Sequence, residues 1–239
     1  MDLYHRLFKD RRDAGRQLAA ALLYLKEDAP IVLALPRGGV PVAFEVATVL
    51  HAPLDVLLVR KIGAPFSAEL GLGAVVEGDP PRCVMNEDLM ASVNPSDEYI
   101  RTEIQRQIEE MARRRALYCG ERQRTDPRGR TVVVVDDGIA TGGTMKAALQ
   151  AVAQADPERL IFAVPVAPAE TVESLYDDAD EGVVLFTPPN FRAVSLYYDN
   201  FAQTTDDEVT TLLATPTRQA PGPAASPSVD PHLPPSPRH

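Results

Sequence analysis

Cysteine is scarce in this chain. Cys83 and Cys119 stand far apart and outside any C-x-x-C or Cys/His cluster, which excludes a disulfide framework or a zinc site and leaves reduced thiols as the expectation. The 4 histidines are scattered as well, with His5 and His51 in or beside helical patterns and His232 and His239 in the last stretch. They assemble no triad and no metal set. Basic charge is also in deficit: the formal net charge of -10 argues against sequence-independent binding to DNA, RNA or an anionic membrane. Any phosphate site must therefore be local. No apolar run approaches the roughly 18 residues of a membrane span, and MDLYHRLFKDRRDAGRQL carries charges where a signal peptide needs an apolar core. A cytoplasmic location with no membrane partner is expected. What is present, 45% hydrophobic and 24% charged residues in 239, fits an ordinary globular domain able to bury a sizeable core.

The most informative stretch is TVVVVDDGIATGGTM, Thr131 to Met145. Four valines, Val132 to Val135, predict a strand covered on both faces, as in a parallel sheet whose ligands gather beyond the strands' carboxyl ends. Chemistry is therefore expected just after Val135. The small loop Ala140, Thr141, Gly142, Gly143 and Thr144 lets backbone amides and hydroxyls approach a phosphate at the start of the next helix. Asp136 and Asp137, by contrast, repel phosphate and suit sugar hydroxyls or a hydrated divalent cation. A ribose 5-phosphate satisfies both halves.

Helical spacing of Leu3, Leu7, Ala14, Leu18, Leu22 and Leu25 predicts an amphipathic opening helix over 3–26. Ile31 to Leu35 is a short strand, followed by Pro36-Arg37-Gly38-Gly39 and a helix over Val40 to Leu50. Arg37 with two glycines can form a second anion site; a tight turn with a solvated Arg reads these residues equally well. Leu54 to Val59 reads as a strand ending in Arg60-Lys61, which again sets cations at a strand end. Leu72 to Val76 and Cys83 to Met85 read as a hairpin about the turn-rich 77–81 segment. A long helix over Pro95 to Tyr118 is expected, capped by Ser96, with Ile100, Ile104, Ile108, Met111 and Ala112 on one stripe and Glu109 supporting Arg113. Its Arg113-Arg114-Arg115 run reads as a solvated face in so acidic a chain.

Further strands are expected at Arg159 to Val164 and Val183 to Phe186, with helices over Met145 to Ala153 and Ala169 to Tyr176. This alternation predicts a doubly wound, mostly parallel α/β sheet. Thr205-Asp206-Asp207-Glu208 resembles a capping box for a last helix. Residues 1–214 form the expected domain, and the Pro/Ala/Ser-rich 215–239 a disordered tail. Phe191, Tyr197, Tyr198 and Phe201 read either as seals on the sheet edge or as stacking surfaces for a ligand.

VVVVDDGIATGGT resembles the phosphoribosyl pyrophosphate motif of type I phosphoribosyltransferases, and FKDRRDAGRQLA, LALPRGGVPVA, LLVRKIGAP and NFRAVSLYYDNFAQTTDDEV resemble a group of bacterial predicted phosphoribosyltransferases. The resemblance implies that fold, with a small C-terminal hood at about 187–201. It implies that Asp136 and Asp137 bind the ribose hydroxyls, directly or through water on Mg2+, and that Ala140 to Thr144 wrap the 5-phosphate. Arg37, Gly38 and Gly39 match the pyrophosphate loop, where a strained and often cis peptide is usual, and Lys61 would serve pyrophosphate too. The implied partners are phosphoribosyl pyrophosphate and a small heterocyclic acceptor, with a homodimer left open and no nucleic acid. Pro165, Val166, Phe191 and Tyr197 are the expected acceptor contacts. Ala140 replaces the Asp of hypoxanthine-guanine enzymes, which disfavours a 6-oxopurine. The alternative is a non-catalytic sensor of the same sugar phosphate; retention of Arg37 and Lys61 favours catalysis.

Overall fold

The computed structural model describes residues 7–217, with no statement of the side chains of residues 68 and 69. The expected tail falls outside the described residues from 218 onward. Thr217 Oγ1 donates to Ala52 O at 2.7 Å, so the docked chain runs past the expected boundary at 214.

Five strands form a parallel sheet in the order β2 (Leu54–Val56), β1 (Ile31–Ala34), β6 (Thr131–Val135), β7 (Arg159–Val166) and β8 (Glu181–Phe186). Every residue of β1 and β6 is buried, as runs of β-branched and aliphatic side chains require when helices cover both faces. On one face α1 (Arg11–Ala21), α2 (Gly39–Leu50), α4 (Asp97–Cys119) and α7 (Asp206–Ala214) share a core with Val133 and Val135. On the other, α5 (Gly143–Ala153) and α6 (Ala169–Leu175) pack on Val132, Val134 and Phe162. The sheet is doubly wound, as the alternating pattern predicts. Its winding reverses between β1 and β6, which pair from Ile31↔Val132 to Ala34↔Val135. Loops leaving these two strands must part there, which opens a crevice.

Several local expectations change. The opening helix is shorter: Asp10 caps α1 by accepting from Asp13 N at 2.8 Å, and Leu23–Asp28 is a 3-10 segment ending at Ala29 in the left-handed region. Pro30 bars any continuation. The strand expected over 54–59 is two strands. β2 stops at Val56, and β3 (Val59–Ala64) leaves to pair with β4 (Ser67–Val76), itself paired with β5 (Arg82–Met85), in a separate antiparallel sheet. Leu57 and Leu58 sit in opposite cores, and Leu58 O accepts from Glu77 N at 2.8 Å. The chain thus changes partners at Leu58, and Lys61 does not stand at a central strand's end. A short helix, α3 (Glu87–Val93), escapes the periodicity; Asn86 caps it through Leu89 N at 3.0 Å.

On α4, Ser96 caps as expected by accepting from Tyr99 N at 3.2 Å. Arg113, however, pairs with Glu110 at 2.8 Å rather than with Glu109, and Ala112 is exposed. Ile100, Ile104, Ile108 and Met111 pack on the core as expected, and Glu103 and Gln107 are buried beside them. Gln107 accepts from Arg60 Nε at 2.9 Å and donates to Glu103 at 2.7 Å. That hydrogen bonding lets two polar residues face inward.

Candidate active site

The crevice between β1 and β6 is closed at its base by two glycines. A Cβ on Gly39 would lie 2.7 Å from Val135 O and 2.9 Å from the Asp136 Cα. A Cβ on Gly38 would collide with the Asp137 carboxylate, 2.7 Å from its Cγ. The Pro36–Gly39 loop can therefore touch the acidic pair only because both positions lack side chains. Its Pro36–Arg37 peptide is cis, as the family resemblance leads one to expect.

Asp136 and Asp137 are largely enclosed at the ends of this contact. Asp136 Oδ1 accepts from Asp137 N at 2.8 Å, and Asp137 Oδ2 accepts from Arg11 Nε at 2.7 Å. Burial, and then the neighbouring Asp137 charge, push Asp136 well above the usual carboxylate range. Burial also raises Asp137, opposed by the Arg11 guanidinium. Two adjoining, dehydrated carboxylates with one guanidinium between them lack positive charge. Oxygen donors of this kind fit a hard divalent cation such as Mg2+.

The β6 loop then continues into the helix α5. Ala140, Thr141, Gly143 and Thr144 are exposed. Thr171 Oγ1 donates to Ala140 O at 3.1 Å, while Gly142 turns at φ 78° with no room for a Cβ against the Thr171 methyl. No side chain caps α5 at Gly142, so its first amides face outward at the positive end of the helix dipole. A cavity of about 520 Å3 lies over them, lined by Thr141, Gly143, Thr144 and Lys146 and, from the small sheet, by Lys61.

Lys61 thus reaches the loop of Thr141 to Thr144, though from β3. Arg37 does not line this cavity; its Nη1 stands 3.7 Å from Asp206 at the start of α7. A second cavity, about 570 Å3, lies at the far end of α5 among Asp55, Glu77, Arg82, Arg115 and Arg122. Its most buried charges pair with one another, Arg115 gripping both Asp55 oxygens at 2.9 Å.

The hood segment packs Tyr197, Tyr198, Phe191, Val194 and Phe201 around Phe8 and Val166. Pro165 and Val166 are buried in β7, Tyr197 is 3% exposed, and Phe191 stacks on Tyr197 with centroids 5.8 Å apart. These four expected acceptor contacts lie within or against the hood's own packing. Tyr198 hydroxyl donates to Asp137 O at 2.6 Å, and burial raises its pKa. Arg11, Thr171 and Asp206 are not site candidates from the sequence, and Tyr198, expected as a seal or a stacking surface, donates its hydroxyl beside the acidic pair. The signal for Arg11 was its place within FKDRRDAGRQLA.

The fold and crevice define an α/β protein with an anion-compatible loop and a carboxylate pair at the switch point of its sheet. The chain belongs to the phosphoribosyl transferase domain family, which it matches over residues 9–199. It is 47% identical over 208 residues to two Mycobacterium tuberculosis proteins, from strains CDC 1551 / Oshkosh and H37Rv, each provisionally named a phosphoribosyl transferase. The match covers 87% of this chain and 46% of theirs, so the chain spans about half the length of these relatives. Among solved structures, TT1426 from Thermus thermophilus is 45% identical, with 89% of this chain and 99% of that one covered and a TM-score of 0.74. Among the described residues no helix is long and apolar enough to cross a membrane.

Proposed function

We propose that this protein transfers the phosphoribosyl group of phosphoribosyl pyrophosphate to a nucleobase or related nitrogen heterocycle, releasing pyrophosphate, with Mg2+. The observation that carries the reading is the contact of the Gly38-Gly39 loop with Asp136 and Asp137, on a β6 loop that runs directly into the open amides of α5. Adjoining segments then carry an anion-compatible helix start, two carboxylates and a second anion-compatible loop.

In this reading the amides and hydroxyls of Ala140 to Thr144 hold the 5-phosphate, and Lys61 adds charge from across the cavity. Asp136 and Asp137 accept from the ribose 2- and 3-hydroxyls and fix the sugar's orientation. As the bond at the anomeric carbon breaks, negative charge grows on pyrophosphate, and in this reading Arg37 and its loop stabilise it. Mg2+, when held by Asp136, Asp137 and substrate oxygens, would supply further positive charge to the leaving group. Ala140 places no carboxylate beside the acceptor, which favours heterocycles other than 6-oxopurines.

Incubation with phosphoribosyl pyrophosphate, Mg2+ and a broad panel of heterocycles is expected to release pyrophosphate with at least one acceptor. Tight binding of phosphoribosyl pyrophosphate without turnover on any of them would favour the sensor instead.

A further inference from the structure

Arg11 is the first residue of α1, yet its side chain is only 11% exposed and none of it serves α1. Two other segments hold it, through three contacts. Its Nε donates to Asp137 Oδ2 at 2.7 Å, its Nη1 donates to Ala202 O at 2.6 Å, and its guanidinium carbon lies 3.8 Å from the centroid of the Phe201 ring. Gly38 closes over the same Oδ2 edge of Asp137. A Cβ on Gly38 would lie 2.7 Å from Asp137 Cγ and 3.3 Å from Arg11 Nε, and the Asp137 carbonyl accepts from Tyr198 at 2.6 Å.

Resting on the function proposed above, we propose that Arg11 is the positioning residue of the acidic pair, locking Asp137 in one rotamer and tying it to the hood through Ala202 and Phe201. Arg11 occupies Oδ2, so the carboxylate presents its remaining oxygen edge to the ribose without having to choose a rotamer on binding. Order of this kind is established before the ligand arrives, which lowers the cost of binding. The arrangement needs a guanidinium: a planar fork can donate to a carboxylate and a carbonyl at once while lying flat on an aromatic ring, and an ammonium cannot. Arg11 is also where the N-terminal and hood segments meet the β6 loop; it donates to Asp137 and Ala202, whereas its approach to Gly38 is van der Waals, so its loss is felt first at the ribose.

The test is calorimetric titration with ribose 5-phosphate and, separately, with pyrophosphate, so that no turnover is required. Arg11→Gln is expected to weaken ribose 5-phosphate about 10-fold, as loss of a charge-assisted anchor implies, and to leave pyrophosphate affinity within about two-fold. Arg11→Lys should recover less than half of the loss. In the Arg11→Gln/Asp137→Asn double variant, ribose 5-phosphate affinity should match Asp137→Asn alone within about two-fold, because both changes remove one interaction. Multiplying losses, unchanged binding in Arg11→Gln, or an equal loss for pyrophosphate would overturn the proposal. Should Arg11→Gln fold poorly, Phe201→Leu keeps the ion pair and removes the flat surface; about three-fold weaker ribose 5-phosphate binding is expected, and wild-type affinity counts against the role. If the unaltered protein itself fails to bind ribose 5-phosphate, the functional reading falls instead.

Discussion

Gly143→Ala should separate stability from ligand binding. Gly143 is the first residue of α5, its φ is outside the left-handed region, and a Cβ there would meet nothing within 4 Å. On folding grounds the change is favourable: Gly→Ala at a compatible position stabilises by about 0.4–1 kcal/mol, chiefly by restricting the unfolded chain. For a domain of this size that corresponds to a rise in Tm of roughly 1–4 °C. The empty space, however, is the cavity over Thr141 and Thr144. A methyl group there holds a phosphate off the amides, and losing one charge-assisted hydrogen bond, about 1.5–3 kcal/mol, weakens ribose 5-phosphate by about 10- to 100-fold. Gly39→Ala is the converse control. Its Cβ would strike Val135 O and the Asp136 backbone, which cannot swing aside, so an overpacking cost of about 1–3 kcal/mol is expected, or a fall in Tm of roughly 2–12 °C. Thermal melts and calorimetry on both variants check the pair. A Gly143→Ala protein that melts lower, or that binds ribose 5-phosphate as the parent does, would refute the assignment of that space to phosphate.

Asp136→Asn is expected to raise Tm at neutral pH in metal-free buffer while lowering turnover by at least about 100-fold. The carboxyl's folded pKa is raised, so the stability this group permits is greatest at low pH and is lost as pH rises through that value; the gain in Tm should shrink on acidification. Asp55→Ala acts in the opposite sense. Held below the usual carboxylate range by Arg115 despite burial, Asp55 contributes stability above pH ~4 that is lost as pH falls through its lowered value. Removing it breaks the bidentate pair and leaves Arg115 only Glu77 and the Val56 carbonyl, which should cost about 3 kcal/mol in denaturant melts at pH 7. Asp206→Asn keeps an acceptor for Tyr118, which donates to Asp206 at 2.6 Å, but frees Arg37; pyrophosphate should bind about 2- to 5-fold tighter, seen by calorimetry.

The crevice was legible in the sequence because its determinants are local. A run of valines ending in two aspartates can satisfy neither face of a solvated strand, so burial and a functional edge follow from adjacent residues. Lys61 was misplaced for a tertiary reason. Val56 to Val59 reads as one apolar run, and the break at Leu58 comes from Glu77 N, which no periodicity reveals. The α4 stripe is legible in Ile100, Ile104, Ile108 and Met111, which pack on the core; burial of Glu103 and Gln107 beside them is not, because Arg60 supplies their hydrogen bonding from another sheet. Arg11 was hidden by its company, since a charged residue opening a helix ordinarily faces water.

Under the proposed function, sheet order explains how a strongly acidic chain would hold a sugar bearing a phosphate and a pyrophosphate. Asp136 and Asp137 oppose such a ligand, so the anion-binding groups must be brought to it from elsewhere in the sequence. Pairing of β1 with β6 in register from Ile31↔Val132 sets the ends of the two strands side by side, and Leu35 N donates to Val135 O at 2.9 Å just beyond them. From there the chains diverge, one through Arg37 to α2 and the other through the aspartates to α5. The β6 loop leads into the uncapped start of α5 instead of a diffuse basic patch, and Gly38 and Gly39 bring the other loop into van der Waals contact with it. Amide dipoles fixed by secondary structure carry no net charge and need no reorganisation on binding. In the proposed function, specificity for a ligand with phosphates on both sides of a diol would therefore follow from strand adjacency.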